Sequence, residues 1–152
     1  MDLKPENIIV RNGRPVLVDF GLAGRRIRPG CATVFYGSPE VWDCKRFGGP
    51  DQSPLPADVY SFCCLAYEVI TGGTLIDEQT PRDFVVAHLS HDGAPKGIEK
   101  LSERHPNALA FCYTLRGGLR QKASNRVTMS QLRQELKASF ESLEGESWPL
   151  ET

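Results

Sequence analysis

Asp2-Leu3-Lys4-Pro5-Glu6-Asn7, then Ile8-Ile9-Val10-Arg11, Asn12-Gly13, Val16-Leu17-Val18 and Asp19-Phe20-Gly21, is the stretch that decides how this chain folds. The two apolar, β-branched runs read as short strands, and Asn12-Gly13 between them is a strong signal for a tight hairpin turn. A hairpin here separates two polar loops and fixes their spacing. The loops carry the carboxylates of Asp2 and Asp19 and the amide of Asn7, oxygen donors of the kind that suit a hard cation such as Mg²⁺. The Ile and Val side chains of the strands are expected to be ordinary core. From Gly21 to Gly37 periodicity is lost and Gly, Pro and Arg25, Arg26 and Arg28 appear, so a solvated surface loop is expected there.

Further runs follow in order: Ser38-Pro39-Glu40, Asp58-Val59-Tyr60-Ser61-Phe62 and a late Arg126. Together with the opening stretch they resemble eukaryotic-type protein kinases of the Ser/Thr type, over residues 2 to 126. The resemblance implies magnesium-dependent transfer of the ATP γ-phosphoryl group to a protein hydroxyl. On it, Asp2 accepts or orients the proton of the substrate hydroxyl and Lys4 neutralises charge on the transferring group. Asn7 and Asp19 hold Mg²⁺, so that Lys4, Asn7 and Asp19 form the nucleotide-binding set. Thr33 hydrogen-bonds Asp2 and Lys4, and with Tyr36 belongs to the activation segment and its substrate-docking surface. Phe20 packs between lobes, Gly21 permits a backbone turn, Glu40 and Arg126 form a buried ion pair, and Asp58 braces the catalytic loop through backbone N–H groups. Ser38 replaces the family's Ala, Ala32 its common Gly and Val34 its common Pro.

The resemblance also marks what is missing. No G-x-G-x-x-G and no V-A-x-K is present, so the family's small lobe, which covers the phosphates and supplies a Lys–Glu pair, has no counterpart here. The expected fold is the large C-terminal lobe alone, mainly α within an α+β family: a small β-hairpin, an activation segment and four to five helices over residues 1–143, with a polar, frayed tail over 144–152. Met1 stands where the family carries an Arg that anchors a phosphorylated activation loop. The expectation is an internal methionine of a longer protein, with weak or no dependence on activation-loop phosphorylation. The chain by itself is expected to turn over little, and a non-catalytic, kinase-like binding module (a pseudokinase fragment) is the alternative.

Composition agrees with a globular chain. The 152 residues suit one domain, apolar residues make up 40% and charged ones 24%, and the net charge of −1 favours no polyanionic partner, so no nucleic-acid binding is expected. No apolar run approaches the roughly 18 residues of a membrane span, and no signal peptide is visible. A cytoplasmic protein with a protein substrate is expected. The five cysteines form no C-x-x-C and are expected to be buried reduced thiols.

Helices are expected over 56–71, with Pro56 in the first turn and Gly72 as the stop, and from Thr80, with Thr80-Pro81-Arg82-Asp83 as its start. Two more are expected over 107–116 and from Thr128, where Thr128 and Gln131 form a capping box. In the first, Val59, Phe62, Cys63, Leu65, Ala66, Val69 and Ile70 cover most of the circumference, the mark of a buried helix. In the last, Leu132, Leu136, Phe140 and Leu143 share one face. His88 and His91 make an H-x-x-H without a third zinc ligand at a usual spacing, so a surface or half-buried pair is expected.

Overall fold

The computed structural model describes residues 2–48 and 53–152; Met1, and with it the expectation about the family's Arg, lies outside the described residues. A 3-10 turn at Pro5–Asn7 leads into strands β1 (Ile8–Arg11) and β2 (Arg14–Leu17), an antiparallel pair with Ile8 opposite Leu17 and Arg11 opposite Arg14. Asn12 and Gly13 both take positive φ, 52° and 69°, as a two-residue hairpin turn matched to strand twist requires. The expected core role of these strands is wrong. Val10 is 71% exposed, and Ile9, Val16 and Leu17 are exposed too. A two-stranded hairpin has no second layer of its own, and no described element covers this one.

After a loop come two single-turn helices, α1 (Pro39–Trp42) and α2 (Cys44–Phe47). Five longer helices follow: α3 (Leu55–Thr71), α4 (Pro81–Ser90), α5 (Lys96–Arg104), α6 (Leu109–Gly118) and α7 (Met129–Glu141). The chain is mainly helical with a small hairpin, as expected. Pro56 lies in the first turn of α3, and Gly72 ends it with φ 75°, its N–H donating to the Glu68 carbonyl. Thr80 caps α4 by accepting from the Asp83 N–H, and the Thr128/Gln131 capping box is complete at α7.

Helix α3 is the axis of the core. Its Tyr60, Cys63, Cys64, Tyr67 and Ile70 pack with Ile98 and Leu101 of α5, Phe111 and Leu115 of α6, and Leu132 and Leu136 of α7. Helix α6 meets α3 at Gly118, where a Cβ would lie 2.3 Å from the Cys63 sulfur, so only glycine allows this approach. Several expectations are corrected. Val69 of α3 is 72% exposed, and Leu109 and Phe140 are a little under half exposed. α5 was not anticipated, because Gly97 interrupts its pattern and only Ile98 and Leu101 anchor it. The tail is not frayed: Leu150 is 1% exposed within the core, and its N–H donates to the Ile70 carbonyl at 2.9 Å. Of the cysteines, Cys63, Cys64 and Cys112 are buried free thiols, but Cys31 is exposed. Burial pushes the Cys63 thiol up to about 12 and that of Cys112 to about 11, which keeps both protonated and inert.

Candidate active site

Pro5, locked in φ, starts the 3-10 turn that reverses the chain after Lys4. The Asn7 N–H closes the turn on the Lys4 carbonyl, and the Asn7 side-chain Nδ2 donates to the Asp2 carbonyl at 2.8 Å. Asn7 is buried, so this bond sets the loop from within. The result is a clip that presents the Asp2 and Lys4 side chains together.

Thr33 joins them from the loop after the hairpin, 31 residues away. Its hydroxyl donates to Asp2 Oδ1 at 2.8 Å and its N–H donates to the same oxygen at 3.2 Å. Lys4 Nζ lies 2.8 Å from Asp2 Oδ2 and donates to Thr33 Oγ1 at 3.2 Å. Partial burial by itself would raise the Asp2 carboxyl, but the hydrogen bonds from Lys4 and Thr33 outweigh it and hold the group below the usual carboxylate range. The Lys4 ammonium is pushed up by its bond to Asp2, with Glu6 and Asp19 adding to the same effect. The pair stays charged at neutral pH and both side chains reach solvent.

Asp19 is positioned by the hairpin. The Val18 N–H donates to the Asn7 carbonyl at 2.8 Å, continuing the β1–β2 pairing, so Asp19 follows the residue paired with Asn7. Asp19 itself, not Gly21, takes the left-handed conformation, with φ 57°. Its Oδ1 accepts from the Gly21 N–H at 3.0 Å, and a Cβ on Gly21 would meet that oxygen at 3.1 Å. Gly21 lies in the turn closed by the Ala23 N–H on the Phe20 carbonyl at 2.9 Å, and its lack of a side chain leaves space beside the Asp19 carboxylate. Phe20 is 64% exposed, so it is not part of the core of the described fold. Among the described residues no group of three or more His, Cys, Asp and Glu is placed to hold a metal. Asn7 and Asp19 offer one amide oxygen and one carboxylate, an incomplete oxygen set that phosphate oxygens would have to finish. That is how Mg²⁺ is commonly held at nucleotides.

The loop carrying Thr33 is tied to the helices behind it. Tyr36 and Gly37 N–H groups turn back on the Thr33 carbonyl, the Ser61 hydroxyl of α3 donates to the Tyr36 carbonyl at 2.8 Å, and the Tyr36 hydroxyl donates to Glu68 at 2.6 Å. Glu40 and Arg126 form the expected pair: two parallel bonds of 2.6 and 2.7 Å, both side chains fully buried. The other Arg126 N–H groups reach the Arg120, Pro56 and Gln121 carbonyls, so all five guanidinium donors are used, and its Cζ lies 5.0 Å from the Tyr60 ring centroid. Asp58 sits part-buried in the first turn of α3.

The family of this chain follows from one comparison. The protein kinase domain model matches residues 1–136. The chain belongs to the eukaryotic-type protein kinase family. Its relatives include serine/threonine-protein kinase PknD of Mycobacterium tuberculosis, 34% identical over 116 residues, which covers 71% of this chain and 16% of that protein. Serine/threonine-protein kinase pkn2 of Myxococcus xanthus is 33% identical over 109 residues (65% of this chain, 13% of that protein). Serine/threonine-protein kinase RAD53 of Saccharomyces cerevisiae is 36% identical over 91 residues (47% and 10%). This kinase chain thus spans at most 16% of the length of these relatives. No described helix is long and apolar enough to cross a membrane.

Two features of the kinase chain escaped the sequence reading. His88 is not a surface residue: it is fully buried, with Nδ1 2.8 Å from the Tyr60 hydroxyl and Nε2 donating to the Val34 carbonyl at 2.9 Å. The apolar run around it (Val85, Val86, Ala87 and Leu89) was the available signal. Burial pushes His88 and His91 each down to about 4. The unfolded chain titrates near 6.5 and so binds more protons between about pH 6.5 and 4. Stability from the neutral rings is full above about 6.5 and is lost as pH falls through that window. The urea midpoint should therefore drop between pH 7.5 and 5, with a smaller drop in His88→Gln. Equal slopes in both chains would remove His88 as the cause.

Ser38 is the second feature. It lies at the start of α1, 1% exposed, and its hydroxyl has no hydrogen-bond partner. An unpaired buried hydroxyl is a burden, so Ser38→Ala should raise the unfolding free energy by about 1 kcal/mol. Thermal unfolding of the two chains reads this directly, and a less stable alanine variant would contradict it.

Proposed function

We propose that the chain is the large C-terminal lobe of a magnesium-dependent protein serine/threonine kinase. It carries the half of the active site that handles the acceptor hydroxyl and the ATP phosphates. The observation that carries this reading is the closure of Thr33 onto Asp2 and Lys4 across 31 residues. A solvated Asp–Lys pair needs no such third partner, whereas a group that must meet a hydroxyl in one orientation does.

In this reading Asp2, ionised and pinned through Oδ1, accepts a hydrogen bond from the substrate Ser or Thr hydroxyl. It takes that proton as the new O–P bond forms and the bond from the γ-phosphorus to its bridging oxygen breaks, releasing ADP. Its depressed proton affinity suits orientation of the hydroxyl more than early proton removal. Lys4, held protonated, lies against the charge of the transferring group. Asn7 Oδ1 and Asp19 would hold Mg²⁺ together with phosphate oxygens; when bound, the ion offsets phosphate charge. Thr33 belongs to the surface on which the protein substrate docks, Tyr36 anchors that segment from beneath through Glu68, being buried itself, and Asp58 supports the Asp2 loop. A cytoplasmic setting completes the reading.

The exposed apolar hairpin, Ile9, Val10, Val16 and Leu17, together with Phe20, supports a small lobe above it in the complete kinase, where adenine would also bind. The same face favours a second reading, a non-catalytic lobe that docks another protein. Transfer of labelled phosphate from ATP to a Ser/Thr substrate by the complete protein separates the two, since this lobe alone is expected to turn over little. Label that appears with the native sequence and vanishes in Asp2→Asn and Asp19→Ala supports the enzyme. Labelling unchanged in both variants would overturn the assignment of roles. In-frame sequence upstream of Met1 encoding a Gly-rich loop and a V-A-x-K would favour the enzyme as well.

A further inference from the structure

Behind the Thr33 loop runs a line of buried polar groups that the phosphoryl-transfer reading does not use. His88 Nε2 faces the Val34 carbonyl at 2.9 Å, so that nitrogen carries the proton. In a neutral ring Nδ1 is then an acceptor, and the Tyr60 hydroxyl 2.8 Å away must donate to it. With its proton committed, the Tyr60 oxygen accepts from His91 Nε2–H at 3.0 Å, and His91 Nδ1 accepts from the Gly93 N–H at 3.3 Å. Every donor points the same way, from the α4–α5 loop, through α3, to the Thr33 loop. No other assignment of neutral tautomers satisfies all four bonds.

The terminus of this line matters. Val34 is the residue after Thr33, and the Tyr36 and Gly37 N–H groups close on the Thr33 carbonyl. A second contact from the same helix reinforces it: Phe84, one turn before His88, packs edge-on against Phe35 with ring centroids 4.7 Å apart. Helix α4 thus grips the loop at consecutive residues, one contact apolar and one polar. An apolar contact tolerates sliding, but a buried N–H to a carbonyl does not, because a lost bond strands both groups.

We propose that His88 is the positioning residue of this loop: it sets the height of the Thr33 turn against the Asp2 carboxylate, and Tyr60 and His91 behind it lock the ring in the tautomer that does so. The functional weight of this assignment rests on the proposed kinase reading, but the coupling itself does not. It differs from the Glu40–Arg126 pair, which clamps the far end of the same segment.

The test compares His88→Phe, His88→Gln and Tyr60→Phe in the 152-residue chain, by amide hydrogen exchange at Thr33 and by the NMR chemical shift of the Thr33 amide. His88→Phe should speed Thr33 exchange at least about tenfold relative to the amides of α6 and move the Thr33 amide shift as its N–H loosens from Asp2 Oδ1. His88→Gln, which can still present an N–H to Val34, should restore most of both. Tyr60→Phe keeps the ring over Arg126 and removes only the hydroxyl, so it should give an intermediate result even where His88→Phe folds poorly. Thr33 exchange that changes only in step with α6 in every variant, with the Thr33 amide shift unmoved, would overturn the proposal. Addition of ATP with Mg²⁺ to the same samples keeps the two claims separable. A failure to perturb Asn7 and Asp19 counts against the nucleotide site and leaves the His88 coupling standing.

Discussion

Arg126→Met should lower the unfolding free energy by about 3–5 kcal/mol, the scale for breaking one side of a buried ion pair. The reason is what stays behind. Glu40 is fully buried and receives both of its charged bonds from Arg126, at 2.6 and 2.7 Å. Without the guanidinium the carboxylate must either stay charged in a dry site or take a proton. The Arg120, Pro56 and Gln121 carbonyls lose donors at the same time. A domain of this size has roughly 5–15 kcal/mol in total, so the variant should sit near its folding threshold at room temperature. Urea unfolding monitored by circular dichroism measures the loss. The double variant Arg126→Met with Glu40→Leu should be more stable than Arg126→Met alone, because the stranded charge is gone. A double variant worse by the sum of two single losses would show that packing, not charge, dominates.

Asp2→Asn should reduce phosphotransfer by about 10²–10⁴-fold, the usual weight of a positioned proton acceptor. The substitution keeps size and shape and can still accept from Thr33, but Asn cannot take the hydroxyl proton and lacks the charge that holds Lys4. The loss should fall on kcat, with the ATP KM nearly unchanged, since no bond from Asp2 to the nucleotide is part of the reading. Thr33→Ala tests the same geometry from the other side: it removes the 2.8 Å bond and leaves the weaker N–H. Steady-state assays of the complete kinase with a Ser/Thr peptide read both. An Asp2→Asn enzyme with kcat within a factor of two of the native value would remove Asp2 from the chemistry.

The parts of this fold that were legible in the sequence have local causes. Asn12-Gly13 announced the hairpin because both residues tolerate positive φ. Thr128 and Gln131 announced α7 because the cap is made by residues three apart. Pro56 and Gly72 bracketed α3 for the same kind of reason. What misled was apolar character read as burial. Val10, Val16 and Phe20 look like core residues, yet they are exposed because no described element lies over them. Leu150, in a polar-looking tail, is core because the chain returns to the Ile70 carbonyl. His88, expected at the surface or half-buried, is among the most buried side chains.

The chain's family membership, the order of its chemical groups and the local turns that present Asp2, Lys4 and Asp19 were set by residue identity and short spacing. Burial was not, and the convergence of Thr33 on Asp2 across 31 residues and of Glu40 on Arg126 across 86 was legible only through the family resemblance, while that of His88 on Val34 across 54 was not legible at all. Such contacts leave no periodic trace, because the partner a buried polar group finds depends on which distant segment packs against it. Hydrogen bonds made inside the fold are selected by that packing, and only the folded chain holds the donors and acceptors at bonding distance.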